Sequence, residues 1–237
     1  MLQWHSVFGL GRILKFDTLA AFLKTAQRQS AVGPVALIFV EDNVEIRSTI
    51  THHLMRGFRA ILFFVPHGIP HPAAFAPQAG SIRYHTLSEE GVDRAINCVI
   101  RRVPNTWMYY CYNAEYPFCE SHSISEFLAF NKQEERTAVV TYISDLYAAD
   151  LRAHPNAVCT QTAQIDSVGY YAQARVDSSH HNFLKERQLD FFGGLRWRFE
   201  QYVPSANRKI DRIALFTSKP GLQLHPDDTF NDPEYNT

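Results

Sequence analysis

An α/β fold with a mostly parallel sheet flanked by helices is predicted by three observations. Residues 35–40 (VALIFV) and 58–65 (FRAILFFV) are apolar at nearly every position, as strands buried on both faces must be. A helical pattern stands between them, and strand-helix alternation continues to about Tyr112. The chain is also large enough to bury such a sheet, with 237 residues of which 46% are hydrophobic.

The elements follow in order. From Phe16 to Gln29 the residues Phe16, Leu19, Ala20, Phe22, Leu23 and Ala26 recur near helical spacing, with Asp17 as the N-cap. Residues 1–33 are therefore read as an N-terminal helical extension ahead of one domain over 34–237. Gly33-Pro34 admits the first buried strand, which stops at Glu41-Asp42-Asn43. Residues 45–57 form a helix with Ile46, Ile50 and Leu54 inward, His53 beside them, and Gly57 as its stop. The second strand ends at Pro66, and short connections predict a right-handed parallel crossover. Three prolines make residues 67–80 a loop before a third strand over 81–87. Ser88 caps a helix over 89–103 whose Val92, Ala95, Ile96 and Val99 face inward. Trp107 opens a fourth strand, TWMYYCY. Beyond it the alternation turns mixed: a helix in SISEFLAF, a strand with a polar end in RTAVVTYISDLY, and a late strand in KIDRIALFT. The polar ending NDPEYNT, with no closing helix, is expected of a chain cut from a longer one.

Composition narrows the function classes. A formal net charge of -1 lacks the basic excess that phosphate backbones demand, so nucleic acid is not the expected partner. Four scattered cysteines without a CxxC point to a reduced, cytoplasmic chain rather than a disulfide framework or a structural zinc site. The first 29 residues lack the apolar core of a signal peptide or membrane span, and their basic and apolar mix suits peripheral attachment to a membrane. No GxSxG, P-loop, GxGxxG or HExxH is present.

Open α/β sheets bind ligands beyond the C-terminal ends of their strands. Three such ends carry polar residues: Glu41-Asp42-Asn43, Pro66-His67-Gly68 and Asn113-Ala114-Glu115. Asn113 and Glu115 flank one spacer and would face the same side of an extended segment. Their oxygens suit a hard divalent ion such as Mg²⁺ or Mn²⁺. The same residues also read as a polar strand end before Pro117. In FFGGLRWRF (191–199), two glycines permit close backbone approach, and Arg196 and Arg198 could grip phosphate oxygens. Equally, they stand in solvent on a strand after a turn, with Trp197 turned away into packing. His52-His53 and His180-His181 are adjacent pairs, so their side chains diverge. HPDDTFND (225–232) alone mixes histidine with several carboxylates, and it also reads as a solvated tail.

The order of VALIFVEDNVEIRSTITHHLMRGFRAILFFV and GVDRAINCVIRRVPNTWMYYCYNAEYPF resembles the family 2 glycosyltransferases of the nucleotide-diphospho-sugar transferase (GT-A) fold. It is most similar to the bacterial branch in which the first strand ends in Asn-Glu and a helix with paired histidines and a glycine follows. His52, His53 and Gly57 match that pattern. The branch's Asp-x-Asp-Glu-Phe motif follows a Trp-led strand, and Asn113-Ala114-Glu115-Tyr116 stand in its place here. The Asn-Glu pair is represented by Asp42-Asn43 or by Glu41-Asp42. SDLYAADL, FFGGLRWRF and RKIDRIALF look like later blocks of the same branch.

The resemblance implies transfer of a sugar, with inversion, from a nucleotide-diphospho-sugar to a glycan or other hydroxyl acceptor. It implies a divalent cation, Mn²⁺ or Mg²⁺, on Asn113, Glu115 and His225, although an amide is a poorer ligand than the family's aspartate. Glu41, Asp42, Asn43, Arg196 and Arg198 are the expected substrate-binding residues. Asp145, at the end of a strand, is the expected catalytic carboxylate on the acceptor side, ahead of Asp150 and Glu126; it also reads as a helix or turn cap. The alternative is a degenerate, non-catalytic domain that binds or scaffolds. A phosphate-ester-processing α/β enzyme is a third reading with little motif behind it.

Overall fold

Strands without a polar face end up in the middle of the sheet, where neighbours cover both edges. The computed structural model of the chain describes residues 14–25, 33–72, 79–86, 91–119, 123–156, 159–177, 181 and 183–236. In chain order these form β1 (Leu14–Phe16), α1 (Leu19–Thr25), β2 (Val35–Phe39), α2 (Ile46–Met55), β3 (Ala60–Val65) and β4 (Ala79–Arg83). Then come α3 (Gly91–Arg102), β5 (Trp107–Tyr112), α4 (Ile124–Gln133), β6 (Ala138–Tyr142), β7 (Leu146–Tyr147) and β8 (Gln164–Ile165). A long hairpin, β9 (Tyr171–Asp177) and β10 (Phe183–Phe192), precedes α5 (Gly194–Arg198) and β11 (Asp211–Thr217).

A mixed α/β fold results, with a seven-stranded sheet in the order β1-β4-β3-β2-β5-β11-β6. Every pair from β1 across to β5 is parallel, and β11 runs antiparallel to β5. β2 and β3 are buried at every position, which is why their sequences carry no alternation. Phe39 and Phe64 pair in register and stack with ring centroids 4.4 Å apart. Burying a side chain of this size contributes roughly 1.5–3 kcal/mol. α3 covers the core with Ala95, Ile96, Val99 and Ile100.

The strand order also marks where a ligand would sit. The chain lays β2, β3 and β4 side by side in one direction, then places β5 on the other flank of β2. Connections therefore diverge between β2 and β5, the kind of position at which open α/β sheets bind ligands. The Trp107 strand is central, as its apolar sequence demands.

Two features depart from the sequence reading. Leu14–Phe16, assigned to the helical extension, is instead the edge strand paired with Gly80–Ile82. The helix after it spans only Leu19–Thr25, and Thr18 caps it by accepting the Ala21 N–H at 3.0 Å; residues 26–29 of the expected helix lie outside the described residues, as does the expected cap Ser88. The chain divides into two compact units, one built on residues up to 139 together with 213–236, the other on 140–212. The second contains the β9–β10 and β7–β8 ribbons, which no periodicity announced.

Candidate functional site

At the reversal point, Phe39 of β2 stands beside Tyr112 of β5, so the residues that follow each strand meet. Asn113 joins them. Its Oδ1 accepts the Glu41 N–H at 2.8 Å, while its Nδ2 donates to Asp42 Oδ1 at 2.6 Å and to the Val44 carbonyl at 3.0 Å. Asp42 Oδ1 also accepts the Val44 N–H at 2.8 Å, closing a small turn. Asn113 is buried, so losing its amide would leave backbone groups unpaired at about 1–3 kcal/mol.

Asn113 and Glu115 do not share a side of an extended segment, because the strand stops at Tyr112. Ala114 adopts a left-handed backbone (φ 61°) and turns the chain back, with its N–H on Thr49 Oγ1 at 2.9 Å. Glu115 Oε2 then accepts the N–H of Tyr112 at 3.3 Å. Glu41 feels its neighbours: partial burial first, then the charges of Asp42 and Glu115, raise its pKa above the ordinary carboxylate value.

α2 is tied to the same strand end. Glu45, left-handed at φ 52°, hydrogen-bonds Ser48, whose hydroxyl lies 2.9 Å from Tyr116 Oη. His52 Nε2 donates to the Pro117 carbonyl at 2.8 Å. His53 is fully buried; its Nδ1–H faces the Thr49 carbonyl at 2.8 Å, leaving Nε2 to accept from the Cys111 thiol at 3.4 Å. Burial pushes the His53 pKa down to about 4. The paired histidines thus fasten α2 to β5. A cavity of about 430 Å³ opens on the β3 side of this loop, lined by Asn43, Glu45, Arg47 and Ser48 from the start of α2 and by Pro70, His71 and Pro72 from the segment after β3. Of these polar residues the sequence singles out only Asn43; a left-handed Glu45 leaves no mark in sequence.

The expected residues of the second half occupy the 140–212 unit. FGGLRWR forms a short helix rather than a strand, so Arg196 and Arg198 point about 200° apart and make no common fork. Arg196 grips Asp145 through two parallel hydrogen bonds of 2.8 and 2.9 Å, and its third nitrogen reaches the carbonyls of Asn207 and Lys209. Arg198 pairs with buried Asp166, which also accepts the Tyr147 hydroxyl at 3.1 Å. A Cβ on Gly193 or Gly169 would lie 2.3 Å from the ring of Tyr170 or Trp197, so the glycines make room for aromatic packing. Asp150 caps a turn by accepting the Arg152 N–H at 2.8 Å. Glu126 closes the Ser123 capping box of α4, in the other unit.

His225 is exposed in a turn, where its carbonyl accepts the Asp228 N–H at 3.1 Å. Among the described residues, no group of three or more His, Cys, Asp and Glu is placed to hold a metal ion. None of the helices described is long and apolar enough to cross a membrane. No family model, no curated protein and no solved structure matches the chain, whose architecture is a mixed α/β fold around a mostly parallel sheet.

Proposed function

We propose that this chain is a glycosyltransferase-type enzyme that binds a nucleotide-diphospho-sugar at the β2/β5 reversal and moves the sugar to a glycan or other hydroxyl acceptor. The observation that carries the reading is the Asn113 tie between the two strand ends; the loop it holds leads into a cavity of about 430 Å³ lined by Asn43, Glu45, Arg47, Ser48 and residues 70–72. Crevices at such reversals are where open α/β sheets take nucleotides. Arg47 brings a guanidinium to the cavity wall for a diphosphate, and Asn43, Glu45 and Ser48 bring partners for hydroxyl groups. The acceptor hydroxyl must lose a proton. Glu41, whose carboxylate holds its proton more tightly than usual, suits that task better than Asp145, both of whose oxygens are engaged by Arg196. Cys98, Cys111, Cys119 and Cys159 form no disulfide, which accords with a cytoplasmic place for this activity.

One observation favours the alternative, a non-catalytic binding or scaffolding domain. Asp145, Arg196 and Arg198, expected on acceptor and phosphate, are spent on internal pairs. Calorimetric titration with UDP and GDP, followed by measuring nucleotide released from their sugar conjugates, separates the two. Saturable binding with turnover that falls roughly 100-fold or more in Glu41→Gln is the result expected of the enzyme. Binding without turnover selects the alternative, and no binding to either nucleotide overturns the transferase reading.

A further inference from the structure

We infer that the Asn113 amide does by hydrogen bonding what a divalent cation would do by charge, so that this strand-end corner holds its loop without Mg²⁺ or Mn²⁺. The amide's orientation is settled by its partners. Oδ1 faces the Glu41 N–H, which can only donate, and Nδ2 faces the Val44 carbonyl, which can only accept. What points at Asp42 Oδ1, 2.6 Å away, is therefore an N–H. A cation bridging Asp42 to the β5 tip would have to displace that hydrogen, and an amide nitrogen offers it no lone pair in return.

The neighbouring donors reinforce this. The amide's one good ligand atom, Oδ1, is turned to the Glu41 backbone. Glu115 is carried round by the left-handed turn at Ala114 and takes the Tyr112 N–H, while His225 lies in a separate exposed turn. Asn113, Glu115 and His225 thus do not compose a donor set for a hard ion. The clamp itself is independent of what the strand ends bind; only its consequence, metal-independent capture of a diphosphate, rests on the nucleotide-sugar reading.

The test uses the full chain and Mn²⁺ alone. Calorimetric titration of the wild type with MnCl₂ is expected to show no saturable one-to-one site below about 1 mM. Asn113→Asp puts two carboxylate oxygens where an N–H···O contact stood, a pair that cannot both ionise without a cation or a shared proton. That variant is expected to unfold at lower temperature at pH 7, to regain stability with Mn²⁺, and to bind the ion at least about tenfold more tightly than wild type. Asn113→Ala is expected to be destabilised without any rescue by Mn²⁺. A wild-type one-to-one Mn²⁺ site that disappears in Glu115→Gln overturns the inference, as does an Asn113→Asp protein indifferent to the ion. If Asn113→Asp does not fold, the wild-type titration decides alone. No nucleotide is present in these measurements, so failure of the transferase reading leaves their outcome unchanged.

Discussion

In the unit built on the parallel sheet, Phe39, Phe63 and Phe64 are wholly buried, whereas in residues 140–212 Tyr142, Leu184, Phe183 and Tyr202 stand 56%, 63%, 70% and 78% exposed. The polar groups differ in the same sense. The first unit fastens its strand ends with an amide, hydroxyls and a neutral histidine. The second is held by charge, through Arg196–Asp145, Arg198–Asp166 and Arg175–Asp190. A sheet covered on both faces obtains its specificity from packing, and ionising a group inside it would cost too much. Two-stranded ribbons bury little, so aligned ion pairs and glycine-aromatic contacts must select one arrangement.

That contrast is broken most directly by truncating one aromatic in each unit. Phe64→Ala removes a ring stacked on Phe39 in a site with no exposure and is expected to cost about 3–5 kcal/mol. Tyr202→Ala removes a ring of similar size at 78% exposure and is expected to change stability by less than about 0.5 kcal/mol. Urea unfolding of both variants supplies the comparison. Equal losses would mean that the apolar face of the second unit is covered in solution.

The next effect belongs to His53. In the unfolded chain its ordinary pKa is 6.5, and in the native protein it is about 4. Between these values the unfolded state binds a proton that the native state refuses, so stability is complete above 6.5 and drains away as pH falls toward 4. The full loss is about 3 kcal/mol, with no further contribution below pH 4. His53→Leu should remove that share of the pH dependence, seen as a flatter plot of unfolding free energy between pH 6.5 and 4. An unchanged slope would place the titration elsewhere.

The same division decides what could be read from sequence. β2, β3, α3 and β5 were legible because burial on one or both faces leaves a hydrophobic pattern with a definite period. The meeting of Glu41-Asp42-Asn43 with Asn113 was legible too, since adjacent parallel strands bring their C-terminal ends together. What Asn113 does there was not. Spacing suggested a shared face with Glu115, and the left-handed Ala114 that destroys it has no sequence signature. In the second unit the partners of Arg196 and Arg198 lie 51 and 32 residues away, at Asp145 and Asp166, distances over which periodicity carries no information. Leu14–Phe16 was missed because three residues on a sheet edge are too short to show alternation.

A smaller effect tests whether charge really shapes the second unit. A double-mutant cycle of Arg196→Ala and Asp145→Ala is expected to give a coupling of about 1–2 kcal/mol, above that of an exposed pair, since both partners are more than three-quarters buried and the contact is two-pointed. Nucleotide affinity should be the same in Arg196→Ala as in the wild type. A drop in affinity would mean that the arginine leaves Asp145 to meet a diphosphate.

The smallest effect concerns Glu41, a carboxylate at the β2 strand end with a raised pKa. Partial loss of hydration, then Asp42 and Glu115, lift it above its ordinary 4.5, so the native protein holds this proton more firmly than the unfolded chain does. Stability from this group is therefore present below 4.5 and is lost as pH rises through the native value; at pH 7 the ionised carboxylate is a net burden on the fold. Glu41→Gln should raise the unfolding temperature slightly at pH 7, and the advantage should vanish below pH 4.5. Greater stability of Glu41→Gln together with lower turnover would mark Glu41 as a residue held for chemistry rather than for folding. A variant less stable than the wild type at pH 7 would instead make the Glu41 charge part of the clamp, alongside the Asn113 amide.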